Sequence, residues 1–292
     1  MSIYEVNKIT SSLYSIKEDI TDNKFPILIY LIIGTKKAAL IDTGLGTGNL
    51  KQIIESITKL PIVVLHSHGH IDHVGADALF TEIYLNSKDY NLIDNSHEFK
   101  AATEQRVNFI EVNLKDKPNV YEDIKAHIVK IEEVNYNNID DGDIIDLGGI
   151  QLEAISTPGH TLGSISYVNK KEHYAFTGDG IADIHWFNKS ESICIEGFLN
   201  TLNHFEDKTK DVKNIYAAHI PEAFNLELVY DLLIAAKEII NGSKDKIENA
   251  DYQFLLYGDL YAHRHGAATI YYDKENIHYK EKLCQNYCEV VN

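Results

Sequence analysis

The sequence is short of several things, and each shortage excludes a class of protein. Its 292 residues include only three cysteines, Cys194, Cys284 and Cys288, an odd number without a C-x-x-C pair. That argues against a disulfide framework and fits reduced thiols in a cytoplasmic protein. Positive charge is scarce: 27 Lys and Arg stand against 44 Asp and Glu, for a net charge of −17 with neutral histidines. A surface of that sign repels phosphate backbones and anionic lipid, and no Lys/Arg-rich run offers a local exception, so neither a nucleic acid nor a membrane is expected as partner. No apolar stretch reaches the roughly 18 residues of a membrane span. The opening Met1-Ser2-Ile3-Tyr4-Glu5-Val6 has neither the basic nor the apolar region of a signal peptide. Low-complexity linkers and tandem short repeats are missing as well. A single soluble domain over 1–292 is the expectation, with hydrophobic residues at 44% to supply its core and nothing to fix its oligomeric state.

Against these absences stands one dense stretch. His66-Ser67-His68-Gly69-His70-Ile71-Asp72-His73 packs four histidines and one aspartate into eight residues, closing with Val74-Gly75. It follows Pro61-Ile62-Val63-Val64-Leu65, an apolar, β-branched run that reads as a buried strand. A strand that delivers imidazoles and a carboxylate into a Gly-containing loop suits a metal ion. Those donors fit zinc, and also iron or manganese, and the loop has no Cys for a purely structural zinc knot.

The surrounding chain supplies strands that end in turns. Phe25 to Gly34 is a nearly continuous apolar run, and Ala38 to Gly44 forms a second one after the Gly34-Thr35-Lys36-Lys37 turn, a hairpin buried on both faces. Leu50, Ile53, Ile54 and Ile57 have helical spacing between that hairpin and the strand at 62–65, which makes a β-α-β pattern. Ile83-Tyr84-Leu85 reads as a short strand, and residues 88–128 as a polar, solvated helical insertion. Ile139 to Gly149 is turn chemistry around a short strand, and Ile150 to Ile155 restarts the sheet. Three later turns then present one ionisable group each. In Thr157-Pro158-Gly159-His160-Thr161, Pro158 fixes φ and Gly159 permits close approach, so the turn can aim an imidazole. Asp179 follows the run Tyr174 to Gly178, and His219 follows Asn214 to Ala218. A C-terminal extension over 222–292 holds a helix at 222–241 and a strand at Ala268 to Tyr272. His263 and His265 share one face of an extended segment and read as a surface pair.

The pattern H-x-H-x-D-H at His68, His70, Asp72 and His73 resembles the signature of the metallo-β-lactamase fold superfamily. Other motifs of that family follow over about residues 12–225: I-D-T-G at Ile41 to Gly44, T-P-G-H-T at Thr157 to Thr161, the Asp179 turn, and His219. One departure is Ala218, where Gly often precedes that last histidine. The resemblance implies an α/β fold, a four-layer αββα sandwich with the site at one edge between two sheets. It further implies that His68, His70 and His160 hold one metal and Asp72, His73 and His219 the other, with Asp179 between them. Asp42 would support the loop without ligating. The implied cofactors are two divalent ions, zinc foremost with manganese or iron as alternatives. The implied reaction is hydrolysis of an ester, thioester, lactone or related bond of a small molecule by activated water, with Asp72 orienting the nucleophile or moving a proton. Trp186 and Phe187 are expected to wall the substrate pocket.

Some branches of the family fit less well. Asp179 stands where one β-lactamase subclass carries a ligating Cys, His70 where flavin-linked di-iron oxygen reductases carry Glu, and Ala182 where lactonases carry Tyr. The competing readings are a mononuclear iron enzyme of the persulfide dioxygenase type, a phosphodiesterase of the same fold, and a metal-binding protein without catalysis.

Overall fold

The computed structural model describes residues 3–93, 97–187, 191–243 and 261–279, with backbone alone at 97–102. Cys284 and Cys288 lie outside that range, and Cys194 is a buried free thiol.

The first sheet begins as an antiparallel meander of β1 (Tyr4–Lys8), β2 (Leu13–Glu18), β3 (Ile27–Ile33) and β4 (Ala38–Ile41). Helix α1 (Leu50–Ile57), capped by the Asn49 side chain on Gln52 N, then carries the chain to β5 (Ile62–Leu65), parallel to β4. A single turn, α2 (Ile71–Val74), follows the histidine-rich loop, and β6 (Ile83–Tyr84) closes the sheet in the order β1-β2-β3-β4-β5-β6. The unbroken apolar run of β3 is explained by cover on both faces. Its Leu28, Tyr30 and Ile32 face the second sheet, while Ile29 and Leu31 pack with Leu50 and Ile54 of α1.

The segment between the two halves is helical, as expected: α3 (Tyr90–Ile93), α4 (His97–Leu114) and α5 (Pro118–His127), the last opening on a proline. It is not solvated all round. Ile110, Leu114 and Ile124 are buried against Ile20, Ile27 and Leu45, so the insertion packs onto the body of the fold.

In the second half come β7 (Ile144–Asp146), β8 (Gln151–Ser156), β9 (Ile165–Asn169), β10 (Tyr174–Gly178), β11 (Ile184–Phe187), α6 (Ile195–Lys208), β12 (Asn214–Ala217), α7 (Leu226–Ile240), β13 (Tyr261–His265) and β14 (Ala268–Tyr272). The second sheet runs β12-β10-β9-β8-β7, and a small third sheet, β11-β14-β13, lies beyond it. Between the two large sheets Tyr30, Ile41 and Leu65 meet Leu152, Ala154, Tyr167 and Phe176. Behind the second sheet Phe198, Leu202 and Phe205 of α6 and Val229, Leu232 and Ile239 of α7 cover Ile155, Val168 and Ala175. Helix, sheet, sheet, helix is the four-layer αββα sandwich that the resemblance implied. No described helix is long and apolar enough to cross a membrane.

At one edge the two sheets are tied directly. Leu28 N donates to Ala218 O at 2.7 Å and Ile165 N to Ser67 O at 2.8 Å. Tyr30 OH donates to Ala217 O at 2.9 Å and Tyr167 OH to His66 O at 2.7 Å. Strands β4, β5, β10 and β12 all deliver their C-terminal ends to this edge.

Candidate metal centre

Those strand ends carry the polar groups singled out in the sequence. His68 and His70 sit in the loop after β5, with Asp72 and His73 on α2. His160 follows β8, Asp179 follows β10, and His219 follows β12. The fold brings all seven together. Three overlapping groups, His68/His70/His160, His68/His73/Asp179 and Asp72/His73/His219, each have ligand atoms within 4.8 Å of one another.

Each imidazole spends one nitrogen on the protein. His73 Nδ1 pairs with Asp42 Oδ2 at 2.8 Å, His219 Nδ1 donates to Pro26 O at 2.8 Å, and His160 Nδ1 to Trp186 O at 3.4 Å. His68 Nδ1 meets Ser67 Oγ at 3.1 Å, and His70 Nε2 meets Glu191 Oε1 at 3.2 Å. The other nitrogen of each faces a common space. There His70 Nδ1 lies 3.0 Å from His68 Nε2 and 2.9 Å from His160 Nε2. His73 Nε2, His219 Nε2 and Asp179 Oδ1 are buried there without a hydrogen-bond partner. They stand instead at longer separations: His219 Nε2 is 3.4 Å from Asp179 and 3.5 Å from Asp72, and His73 Nε2 is 3.6 Å from Asp72 and 3.7 Å from Asp179. Donor atoms bonded at 2.0–2.2 Å to one tetrahedral ion are about 3.3–3.6 Å apart, so imidazole and carboxylate donors at this spacing fit a divalent cation. Orphaned buried polar atoms are otherwise costly.

The electrostatics agree. Burial alone would raise the Asp179 carboxyl, but His219 and His73 outweigh it and hold it well below the usual carboxylate range. Burial alone would lower His73, yet Asp72, Asp179 and Asp42 drive it well above an ordinary histidine. His68, buried and facing His73 and His70, is pushed well below. The cavity therefore draws positive charge, as protons on some of its histidines or as metal ions.

Further residues hold the loops in place, and apart from Asp42 the sequence reading did not single them out. Asp42, at a left-handed φ of 61°, accepts from Ser67 N and Ser67 Oγ, both at 2.7 Å, besides its His73 bond; it supports the loop, as the resemblance implied. Buried Asp89 accepts from Gly69 N at 3.0 Å, Gly163 N at 2.7 Å and Thr161 Oγ1 at 2.7 Å, stapling the first histidine loop to the His160 loop. Gly178 has φ of 53°, and a Cβ there would lie 2.2 Å from Ser67 Oγ, so only glycine lets β10 end against the histidine loop. Phe25 stacks on the His219 ring at 4.0 Å, with Phe109 of α4 edge-on to it at 6.4 Å. Apart from those of Asp42, which stands in the I-D-T-G motif, none of these contacts has a local signal, since each joins segments far apart in sequence.

Two expectations are corrected. Phe187 does not wall a pocket: it lies in the core against Phe198, because alternation along β11 turns it away from the face that Trp186 occupies. Trp186 stacks on Tyr271 at 4.3 Å and meets the site through its carbonyl. The pair His263 and His265 shares one face, but only His265 is at the surface, with 35% side-chain exposure. His263 is buried, and both rings bond Glu238 of α7, at 2.7 and 3.1 Å.

The comparisons with known proteins agree with this fold. A sequence profile of the Metallo-beta-lactamase superfamily matches residues 22–213, and the chain belongs to that superfamily. It is similar to the acyl-coenzyme A thioesterase MBLAC2 of Homo sapiens, 27% identical over 168 residues that cover 53% of this chain and 58% of that protein. It is also similar to the hydroxyacylglutathione hydrolase GloC of Haemophilus influenzae, 31% identical over 153 residues that cover 49% of this chain and 61% of that one. The chain thus spans about three-fifths of the length of these curated relatives. Among solved structures, a metallo-beta-lactamase from Pontibacter korlensis superimposes with a TM-score of 0.55 at 16% identity, covering 80% of this chain and 99% of that one. One from Erythrobacter litoralis gives 0.55 at 14% identity, covering 82% and 98%. At such identities the likeness is one of fold.

Proposed function

We propose that the chain is a hydrolase that holds two divalent metal ions, zinc foremost, and cleaves a thioester of a small molecule. The observation that carries this is the set of partnerless buried atoms, His73 Nε2, His219 Nε2 and Asp179 Oδ1, turned to one space at ligand-to-ligand spacing. His68, His70 and His160 would hold one ion, Asp72, His73 and His219 the other, and Asp179 both. When bound, the ions supply Lewis acidity toward a carbonyl oxygen and a hydroxide nucleophile at neutral pH.

The chain's own groups do the rest. The bonds to Asp42, Pro26 O, Trp186 O and Glu191 fix which nitrogen of four imidazoles faces inward. Asp72 retains 23% side-chain exposure and reaches the space from α2, placed to take a proton from water and to pass it to the departing sulfur. Water adds to the carbonyl carbon, the C–S bond breaks, and the products are a carboxylic acid and a thiol. Phe25, stacked on His219, offers an apolar surface beside the ligand space. The thioester is favoured over other acyl bonds because both curated relatives are named for thioester hydrolysis. Both halves of the chain contribute to one site, which favours a single domain, and the charge of −17 favours a small molecule over a nucleic acid.

The test is metal content together with turnover of acyl-coenzyme A, hydroxyacylglutathione, ester, lactone and phosphodiester substrates. Two ions per chain and thioester turnover are expected, with Asp179→Ala losing at least one ion and about 100-fold or more in kcat/KM. One iron per chain, with oxygen uptake on a glutathione persulfide and no hydrolysis, would overturn the proposal.

A further inference from the structure

We infer that Glu191 is a positioning residue that fixes the tautomer of His70 and so tightens one of the two metal sites. This rests on the proposal that His68, His70 and His160 hold an ion. A ligating neutral imidazole must keep its proton on one nitrogen and present the other as a bare lone pair. His160 and His219 are held this way by backbone carbonyls, and His73 by Asp42. His70 Nε2 instead meets a side chain 121 residues away, Glu191 Oε1, at 3.2 Å. A carboxylate accepts and cannot donate, so the proton belongs on Nε2 and Nδ1 is left to face His68 and His160.

The pair is more than a surface contact. Side-chain exposure is 13% for His70 and 18% for Glu191. The residues after Glu191 also grip the same half of the site. Ser192 Oγ donates to His160 O at 2.8 Å, and Ile193 N donates to Gly159 O at 3.1 Å. Asn276 Nδ2 in turn donates to Ile193 O at 2.9 Å, which braces this segment from the C-terminal part of the chain. Residues 191–193 therefore touch both the His70 side chain and the backbone that carries His160. Outer partners of this kind change metal affinity by about 10- to 100-fold.

The experiment titrates metal-free protein with Zn²⁺ against a chromophoric chelator and records the absorption spectrum with Co²⁺. It compares wild type, His70→Ala, Glu191→Ala and Glu191→Gln, with urea unfolding of each metal-free protein alongside. We expect two ions in wild type and one lost in His70→Ala. In Glu191→Ala one ion should bind about 10- to 100-fold more weakly and the other unchanged, with a shifted Co²⁺ band. Glu191→Gln, whose amide oxygen still accepts the proton without the charge, should fall between. Metal-free stability should equal wild type in both Glu191 variants; a parallel loss there would mean a structural role and overturn the inference. Unchanged affinities in Glu191→Ala, while His70→Ala loses an ion, would also overturn it and leave the dinuclear site standing. A wild type that binds no ion would overturn the proposed function, and the inference with it.

Discussion

Below the ligand space a second tier of ionisable side chains carries its own pH dependence. His66 is fully buried, its Nε2 3.0 Å from Asp77 Oδ2 and its Nδ1 3.5 Å from Asp42. Asp77 also accepts from Thr43 Oγ1 at 2.6 Å and Tyr136 OH at 2.7 Å. Burial alone would lower His66, but Asp77 and Asp42 outweigh it and push it up to about 9. A histidine raised in the folded state holds its proton more tightly there than in the unfolded chain. Its stabilisation is therefore complete below about pH 6.5 and is lost as pH rises through about 9, with a full value of about 3 kcal/mol. Urea unfolding of metal-free wild type and His66→Gln at pH 6 and pH 10 reads this directly. Wild type should lose more stability between the two pH values than the variant does, by that amount. Equal losses would place the His66 proton elsewhere.

Besides its apolar contacts, helix α4 is fastened to the body of the fold by the guanidinium of Arg106. Arg106 is buried, and its Nη1 donates to Leu45 O at 3.1 Å and Gly75 O at 3.4 Å, its Nη2 to Val129 O at 3.1 Å. Gly75 lies two residues past His73, so the latch joins the insertion to the far end of the histidine-rich segment. Arg106→Met keeps an apolar stem and removes the fork, leaving those carbonyls without a donor. It should destabilise the protein by about 3 kcal/mol or more in denaturant unfolding, with Arg106→Lys recovering only part. A loss below about 1 kcal/mol would rank the latch with ordinary surface contacts. No feature of the sequence around Arg106 announces this role, and the same holds for other elements whose partners are distant. Strands β3, β4 and β5 and helices α1 and α7 are legible because their apolar spacing is regular and turn residues bound them. Helix α6 has the same spacing in Ile195, Phe198, Leu202 and Phe205, yet the sequence reading passes over it. Its N-cap position is Cys194 without a side-chain cap, and it contains Gly197, Asn200, Thr201 and Asn203. Strand β9 hides in the same way, since Ile165-Ser166-Tyr167-Val168-Asn169 mixes polar residues into five buried positions. The seven candidate ligands were legible because each stands at a strand end in a short motif. Glu191, Asp89 and Phe25 were not, because they reach the site only through tertiary packing.

Across the whole molecule, the first half supplies His68, His70, Asp72 and His73, and the second supplies His160, Asp179 and His219. Ions held by both sets would cross-link two sheets that otherwise meet through an apolar core and a few hydrogen bonds at that edge. A ligand bound only by the folded state stabilises it by about 4 kcal/mol when present at 1,000 times its dissociation constant, which for a chain of this size is roughly 10 °C in melting temperature. Stripping the protein with a chelator should lower its melting temperature by that order, and added zinc should restore it. The loss should also be local before it is global. The amides of Gly69 and Gly163, both bound to Asp89, and of Ile165, bound to Ser67 O, bridge the two ligand loops. They should exchange with solvent faster once the ions are gone, while amides inside β3 and β10 keep their protection. If the chelator removes the ions and neither the melting temperature nor those bridging amides respond, the apolar core alone holds the halves together. The site would then be a passenger on the sandwich, with no part in closing it.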